Sequence, residues 1–193
     1  MLDNLNKYHI VLGSNSPRRR KLLDILGLTF EVRSIRGIDE SYPSELTGID
    51  IPQYISRKKA AAYAPSLKDN ELLITADTIV WAGGKVLGKP HDDDDAKRML
   101  RFLSSRTHQV FTGVTLRAAG IDRTFAAVSE VTFDALSDDD INYYVARCHP
   151  LDKAGAYGIQ EWIGCVGVSA LKGSYFNVMG LPVQRLYKEL KTL

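Results

Sequence analysis

The chain has 193 residues, of which 45% are hydrophobic and 25% charged, and its formal net charge is +2 at pH 7. This length predicts a single domain, residues 1–193, with enough core to fold by itself. The ordinary apolar content excludes a disordered chain, and no apolar run approaches the roughly 20 residues of a membrane span. The near balance of 25 basic and 23 acidic residues argues against a dedicated nucleic-acid-binding protein.

Cysteine content and the N-terminal residues indicate the cellular compartment. Two cysteines, Cys148 and Cys165, are too few for a disulfide scaffold, and we interpret both as reduced thiols. Residues 1–13 lack the long apolar stretch of a signal peptide. The cysteines and histidines do not have zinc-site spacing, and neither a Walker P-loop nor a GxSxG elbow is present. The sequence therefore predicts a cytoplasmic protein with no membrane partner.

The first predicted elements are a strand, a polar turn and a helix. Residues 8–12 form a short β-branched and aromatic run that predicts a buried strand. Ser16 stands at the N-cap of the next helix, Pro17 at its first position and Gly27 just beyond its end. Strand, turn and helix in this order are half of a βαβ unit.

Strands and helices alternate along the rest of the chain. Further strands are predicted at 29–33, 72–76, 79–81, 85–87, 110–116 and 125–133, and helices at 51–64, 92–103, 182–190 and after the cap Ser137. Glycine turns at 83–84 and at 120 predict two hairpins. The fold class is therefore predicted as α/β, with a mixed, partly antiparallel sheet and helices on both faces.

Residues 14–21 combine serines and basic side chains where the first strand ends and the first helix begins. Backbone N–H groups and the positive end of the helix dipole form an anion site there. The hydroxyls of Ser14 and Ser16 and the guanidinium groups of Arg18 and Arg19 add donors suited to phosphate oxygens. The alternative is a basic first turn that is merely solvated.

Two carboxylates, Glu40 and Asp77, suit catalysis beside such a site. Asp77 follows the most apolar predicted strand, where an ionised group is costly unless it is paired or functional. Hard oxygen ligands of this kind fit Mg²⁺ or Mn²⁺, and a carboxylate nearby can deprotonate a water. The alternative for Asp77 is a turn cap, and for Lys59 and Lys89 it is an ordinary surface position. In the glycine-rich loop 152–160, Gln160 offers a donor and an acceptor to a base edge.

Five motifs follow one another over nearly the whole chain: LGSNSPRR (12–19), ADTIV (76–80), GKP (88–90), DKAGAYGIQ (152–160) and GSYFNVMGLP (173–182). Together they resemble the motifs of the Maf family of nucleoside triphosphate pyrophosphatases. The resemblance implies a fold like that of the inosine triphosphate pyrophosphatases, with two lobes around a cleft. It also implies a divalent cation, Mg²⁺ or Mn²⁺, and water attack on the α-phosphorus that yields a nucleoside monophosphate and pyrophosphate.

The resemblance further implies roles for individual residues. Asp77 is similar to the general base, and Glu40 and Asp77 to the metal-associated carboxylates. The triphosphate-binding positions are Ser14, Arg18, Arg19, Lys59 and Lys89, with Ser16 added from the anion site. Arg18, Thr78 and Gln160 match positions that separate substrate classes, and the loop ending at Gln160 resembles the dTTP/UTP branch rather than the 7-methyl-GTP branch. Glu161 stands where the family has glycine.

The leading hypothesis is an enzyme that hydrolyses dTTP and UTP, with modified pyrimidine nucleotides as further candidates. The alternative is a nucleotide-binding regulator of septum formation without significant turnover, which would have no need of a water-activating carboxylate. A nucleic-acid-binding module using residues 18–21 is opposed by the balanced charge. The family suggests a homodimer.

Overall fold

The computed structural model describes residues 2–193. The strands in these residues are β1 (His9–Leu12), β2 (Phe30–Val32), β3 (Glu71–Ala82), β4 (Lys85–Leu87), β5 (Thr107–Ala118), β6 (Ile121–Phe133) and β7 (Val168–Lys172). The α-helices are α1 (Pro17–Ile25), α2 (Asp50–Tyr63), α3 (Asp93–Leu103), α4 (Asp138–Cys148), α5 (Trp162–Gly167), α6 (Tyr175–Val178) and α7 (Val183–Leu190).

The strands form one sheet in the order β2-β1-β3-β5-β6-β7, with β4 paired to β3. Strand β1 runs parallel to both of its neighbours, so that Ile10 lies opposite Phe30 and Leu72. The pairs β3–β4 and β6–β7 are antiparallel, and two residues join β5 to β6. The predicted α/β class with a mixed sheet is confirmed.

The chain divides into two compact units. The first unit holds the chain up to Asp77 together with Thr112–Ala127 and Gly180–Leu193. The second unit holds Thr78–Phe111 and Val128–Met179. Helices α1, α2 and α7 therefore belong to the first unit and α3 to α6 to the second, whereas β3, β5 and β6 contribute residues to both.

Strand β3 differs from its prediction. It is continuous over 12 residues, so the expectation that Asp77 follows the end of a strand is wrong. The parallel register with β1 ends where Leu12 lies opposite Ile74, and β3 continues beyond it. Asp77 therefore lies inside β3 but just past the carboxyl end of β1. Polar side chains here do not interrupt the strand, because the ladder is formed by the backbone.

Local capping signals predict the helix starts correctly. The Ser16 hydroxyl accepts the backbone N–H of Arg19 at 3.4 Å, and Pro17 opens α1. Gly27, just beyond its end, has φ +72°, a left-handed conformation that glycine adopts without strain. Helix α4 begins with a complete capping box between Ser137 and Asp140.

In the first unit, α2 packs on the sheet. Ala60 and Tyr63 of α2 form a buried cluster with Val11 of β1 and Leu73 of β3. Val11 and its neighbour Leu12 are both fully buried. Because successive strand residues point to opposite faces, the sheet is covered on both faces here, as predicted. The close approach of α2 is what places its later residues, including Lys59, near β3.

In the second unit, a larger core forms around α3 and α4. Leu100 and Leu103 of α3 and Tyr144 of α4 pack with Val110 and Val131 of the sheet. Helix α5 and strand β7 were not predicted, because residues 162–167 contain two glycines and no side chain caps the helix start. None of the helices within residues 2–193 has the length and apolar character needed to cross a bilayer.

Candidate active site

The turn after β1 folds into a polar cradle at the start of α1. The Ser14 hydroxyl oxygen accepts the backbone N–H of Ser16 at 3.2 Å and Nη1 of Arg19 at 3.3 Å. Because this oxygen accepts two hydrogen bonds, the hydroxyl proton points away from both donors. The hydroxyl can therefore donate to an anionic oxygen. The Ser16 hydroxyl oxygen accepts the helix-cap hydrogen bond, which does not use its own proton. Both predicted serines can therefore donate to an anionic oxygen.

Arg19 is anchored rather than solvated. Its Nε donates to the carbonyl oxygen of Gly180 at 2.9 Å, which ties the first turn of α1 to the segment before α7. Burial lowers the pKa of Arg19, and the negative charge of Asp77 opposes that shift. Arg18 is half-buried beside it. Two guanidinium groups thus stand at the positive end of a helix dipole, where a bound anion relieves their repulsion.

Lys59 forms ion pairs with both predicted carboxylates, Glu40 and Asp77. Its ammonium nitrogen lies 2.8 Å from Oδ1 of Asp77 and 3.0 Å from Oε1 of Glu40. The side chains of Lys59 and Asp77 are 13% and 10% exposed, whereas that of Glu40 is 51% exposed. One ammonium therefore holds a buried and an exposed carboxylate together at the surface of the first unit.

The neighbouring lysine has different partners. Lys58 contacts Oδ2 of Asp39 at 2.7 Å and the carbonyl oxygen of Ser41 at 3.0 Å, and it lowers the pKa of Asp39. Both lysines lie on α2, but only one of the two faces Asp77. The geometry thus favours Lys59 over Lys58 for the predicted role.

The pair Glu40 and Asp77 fits a divalent cation. Each carboxylate gives one oxygen to Lys59 and has a second hard oxygen donor, and Glu40 is open to solvent. Mg²⁺ and Mn²⁺ are bound by one or two carboxylates, with waters and substrate phosphate as the other ligands. The donor set therefore suits such an ion without a cage built only from protein.

A second cluster, His9, Glu31 and Glu71, also brings candidate metal ligands within 4.8 Å of one another. Its carboxylates already have a cationic partner, because Arg33 donates to both oxygens of Glu71 at 2.8 and 2.9 Å and to Glu31 at 3.1 Å. Arg33 lowers the pKa of Glu71 to about 2. This cluster is an ion-pair network in the first unit, and sequence reasoning did not find it.

Three predicted site residues belong to the second unit. Thr78 is half-buried in β3, Lys89 is exposed in the segment after β4, and Gln160 precedes α5. The carbonyl oxygen Oε1 of Gln160 is buried and has no hydrogen-bond partner within residues 2–193. A buried acceptor of this kind is costly unless a ligand or an ordered water satisfies it.

The loop before α5 is held by Tyr144 and Lys153, which the sequence analysis missed. The Tyr144 hydroxyl accepts the backbone N–H of Gly158 at 3.0 Å and donates to Oε2 of Glu161. Lys153 is 8% exposed and contacts Oε1 of Glu161 at 3.1 Å. Glu161 has φ −100°, so a side chain in place of glycine causes no backbone strain. A tyrosine on the apolar face of α4 was the available signal, because its buried hydroxyl requires a partner.

Known proteins are similar to this one over the whole chain or nearly all of it. The sequence model of the family described as Maf-like protein matches residues 9–193. A relative in Phocaeicola vulgatus, named dTTP/UTP pyrophosphatase, is 60% identical over 193 residues, 100% of both chains. A relative of the same name in Bacteroides thetaiotaomicron is 56% identical, also over 100% of both chains. Among solved structures, a HAM1 protein from Coxiella burnetii is 14% identical with a TM-score of 0.48, covering 96% of this chain and 100% of that one.

Proposed function

Because the chain belongs to the Maf-like protein family, we propose that it hydrolyses dTTP and UTP to the nucleoside monophosphate and pyrophosphate. Full-length relatives named for this activity support the proposal. The observation that carries it is the Lys59 ammonium shared by Asp77 and Glu40, in the same unit as the cradle of Ser14 and Arg19. The whole of residues 1–193 would act as one domain, in the cytoplasm, with a homodimer as the expected assembly.

The triphosphate would be bound by neutral and cationic donors. The proposed binding residues are Ser14, Ser16, Arg18, Arg19, Lys59 and Lys89. The guanidinium group of arginine suits phosphate oxygens because it donates two parallel hydrogen bonds, and the ammonium group of lysine adds a compact positive charge. Glu40 and Asp77 would hold Mg²⁺ or Mn²⁺, which when bound neutralises phosphate charge and acts as a Lewis acid.

Asp77 would act as the general base. Lys59 fixes one oxygen of its carboxylate. The other oxygen has two lone pairs, of which one would face the metal and the other would accept a proton from the attacking water. The water oxygen bonds to the α-phosphorus, and the bond from that phosphorus to the oxygen bridging the α- and β-phosphates breaks. Pyrophosphate leaves with the bridging oxygen. The cationic side chains stabilise the charge that develops on the phosphate oxygens in the transition state.

Arg18, Thr78 and Gln160 would select the substrate. A carboxamide carries both a donor and an acceptor and can pair with the edge of a pyrimidine base. Full-length relatives named dTTP/UTP pyrophosphatase support thymine and uracil nucleotides, with modified pyrimidines as further candidates, over 7-methyl-GTP.

The test is pyrophosphate release from a panel of nucleoside triphosphates with Mg²⁺ or Mn²⁺. We expect wild type to release pyrophosphate from dTTP and UTP, and Asp77→Asn to lower kcat about a thousandfold while nucleotide binding survives. Asp39→Asn is the matched control, because Asp39 is also an aspartate paired to a lysine of α2. Full activity of Asp77→Asn would contradict the role of the base. Binding without turnover by wild type would instead favour the regulator, and turnover of 7-methyl-GTP alone would overturn the substrate assignment.

A further inference from the structure

The carboxamide of Gln160 has two chemically different sides. A Cβ atom placed on Gly158 would lie 2.9 Å from Nε2 of Gln160 and 2.9 Å from Oε2 of Glu161. The amide nitrogen and a carboxylate oxygen therefore converge on the same side of the loop. The amide oxygen is the end that has no partner within residues 2–193.

The carboxylate of Glu161 is fixed in place. Tyr144 donates to Oε2 and Lys153 contacts Oε1, so both oxygens are held. Tyr144 is fully buried, and Lys153 is itself held by Asp152 at 2.7 Å. Two carboxylates share one ammonium in this group, and so it retains a net negative charge. That charge stands beside the amide nitrogen of Gln160 in a partly desolvated loop, where electrostatic effects are strong.

A negative charge attracts the NH₂ end of a carboxamide and repels its oxygen. We propose that Glu161 is a positioning residue that sets the direction of the Gln160 carboxamide, so that Oε1 is presented as an acceptor to the N3–H of uracil or thymine. This inference rests on the proposed function and adds the atom by which the base is selected. Uracil and thymine both carry this donor, whereas N3 of cytosine is an acceptor and would repel Oε1. Glu161 would thus favour UTP over CTP without touching either nucleotide.

The experiment compares kcat/KM for UTP and for CTP in wild type, Glu161→Gln and Glu161→Asp. Glutamine keeps the shape and loses the charge, while aspartate keeps the charge and loses length. We expect the UTP-to-CTP ratio to fall about five- to tenfold in Glu161→Gln, the size of one lost hydrogen bond. In Glu161→Gln, we expect kcat/KM for UTP to fall and kcat/KM for CTP to stay the same or rise. Glu161→Asp should retain most of the preference for UTP over CTP. Glu130→Gln, which neutralises a partner of Lys172 in the same unit, is the matched control and should keep the wild-type ratio.

Several results would overturn the inference while the proposed function stands. The first is that the wild-type protein does not prefer UTP over CTP. The second is that the UTP-to-CTP ratio is unchanged in Glu161→Gln. The third is that Glu161→Asp loses as much of the preference as Glu161→Gln. Equal losses for both nucleotides would indicate a merely structural role. Dissociation constants for UTP and CTP, measured on the same proteins, give the same ratio without turnover. A wild type that binds but does not hydrolyse would refute the function alone. If Glu161→Gln does not unfold cooperatively, Glu161→Asp carries the test, because loss of the UTP preference in spite of the retained charge would overturn the inference.

Discussion

Substituting Gly113 by alanine tests how closely α2 must approach the sheet. A Cβ atom at this position of β5 would lie 2.3 Å from the carbonyl oxygen of Pro52 and 2.5 Å from the backbone nitrogen of Gln53. Both contacts are with the backbone of the first turn of α2, so no change of rotamer relieves them. The only relief is a movement of the helix or of the strand.

The size of the effect follows from these distances. A methyl carbon needs roughly 3.3–3.5 Å from such atoms, and so α2 must move by about 1 Å. Overpacking of this kind costs about 3 kcal/mol of the free energy of unfolding. Lys59 lies two turns further along α2 and moves with it, which stretches its 2.8 Å contact with Asp77. A displacement of about 1 Å in a proposed catalytic group lowers kcat about a hundredfold.

Urea unfolding measures the first effect, and pyrophosphate release from UTP measures the second. Gly88→Ala is the matched control, because a Cβ there meets nothing within 4 Å and its φ is ordinary. We expect its stability to remain within about 0.5 kcal/mol of wild type. If Gly113→Ala were as stable and as active as wild type, the proposed dependence of the site on this close contact would be refuted.

Two further predictions concern pH. Arg33→Met should lower the free energy of unfolding by about 2 kcal/mol at pH 7, because buried Glu71 loses its guanidinium partner. The pKa of Glu71 is lowered to about 2, so the pair contributes fully above pH 4.5 and less as the pH falls; a variant deficit as large at pH 3 as at pH 7 would contradict this. Burial lowers the pKa of His108 to about 4, so the unfolded chain binds the extra proton between pH 6.5 and 4 and stability falls as the pH is lowered through that window. In urea unfolding, His108→Phe should lower the slope of the free energy of unfolding against pH by up to about 1.4 kcal/mol per pH unit in this window. An unchanged slope would contradict the assignment to His108.

Local signals made much of the fold predictable. Helices α1 and α4 begin where Ser16 and Ser137 cap them, because a cap is a contact between residues three apart. Strand β3 was divided in error at Asp77, since its continuity depends on pairing with β1 and β5, which are distant along the chain. Helix α5 has weak intrinsic propensity, and only its packing against α4 and β7 defines it.

The residues of the candidate site likewise include some that local sequence predicts and others that only tertiary packing brings together. Ser14, Ser16 and Arg19 are close in sequence, and their cradle follows from one turn and one helix start. Glu40, Lys59 and Asp77 were each chosen by residue type, but their shared ammonium results from the packing of α2 near β3. The hydrogen bonds of Tyr144 with Gly158 and Glu161, on either side of Gln160, were not predictable from periodicity, which gives the buried face of α4 but not the partner of a hydroxyl.

The outer strands of the sheet affect how copies of the chain meet one another. Strand β2 at one edge has three residues, among them Glu31, and β7 at the other has five and ends at Lys172, whose side chain is 85% exposed. Short edges that carry charge are poor templates for another strand. Strand addition between copies, the first step of amyloid-like aggregation, is therefore disfavoured at β2 and at β7, the two ends of the sheet.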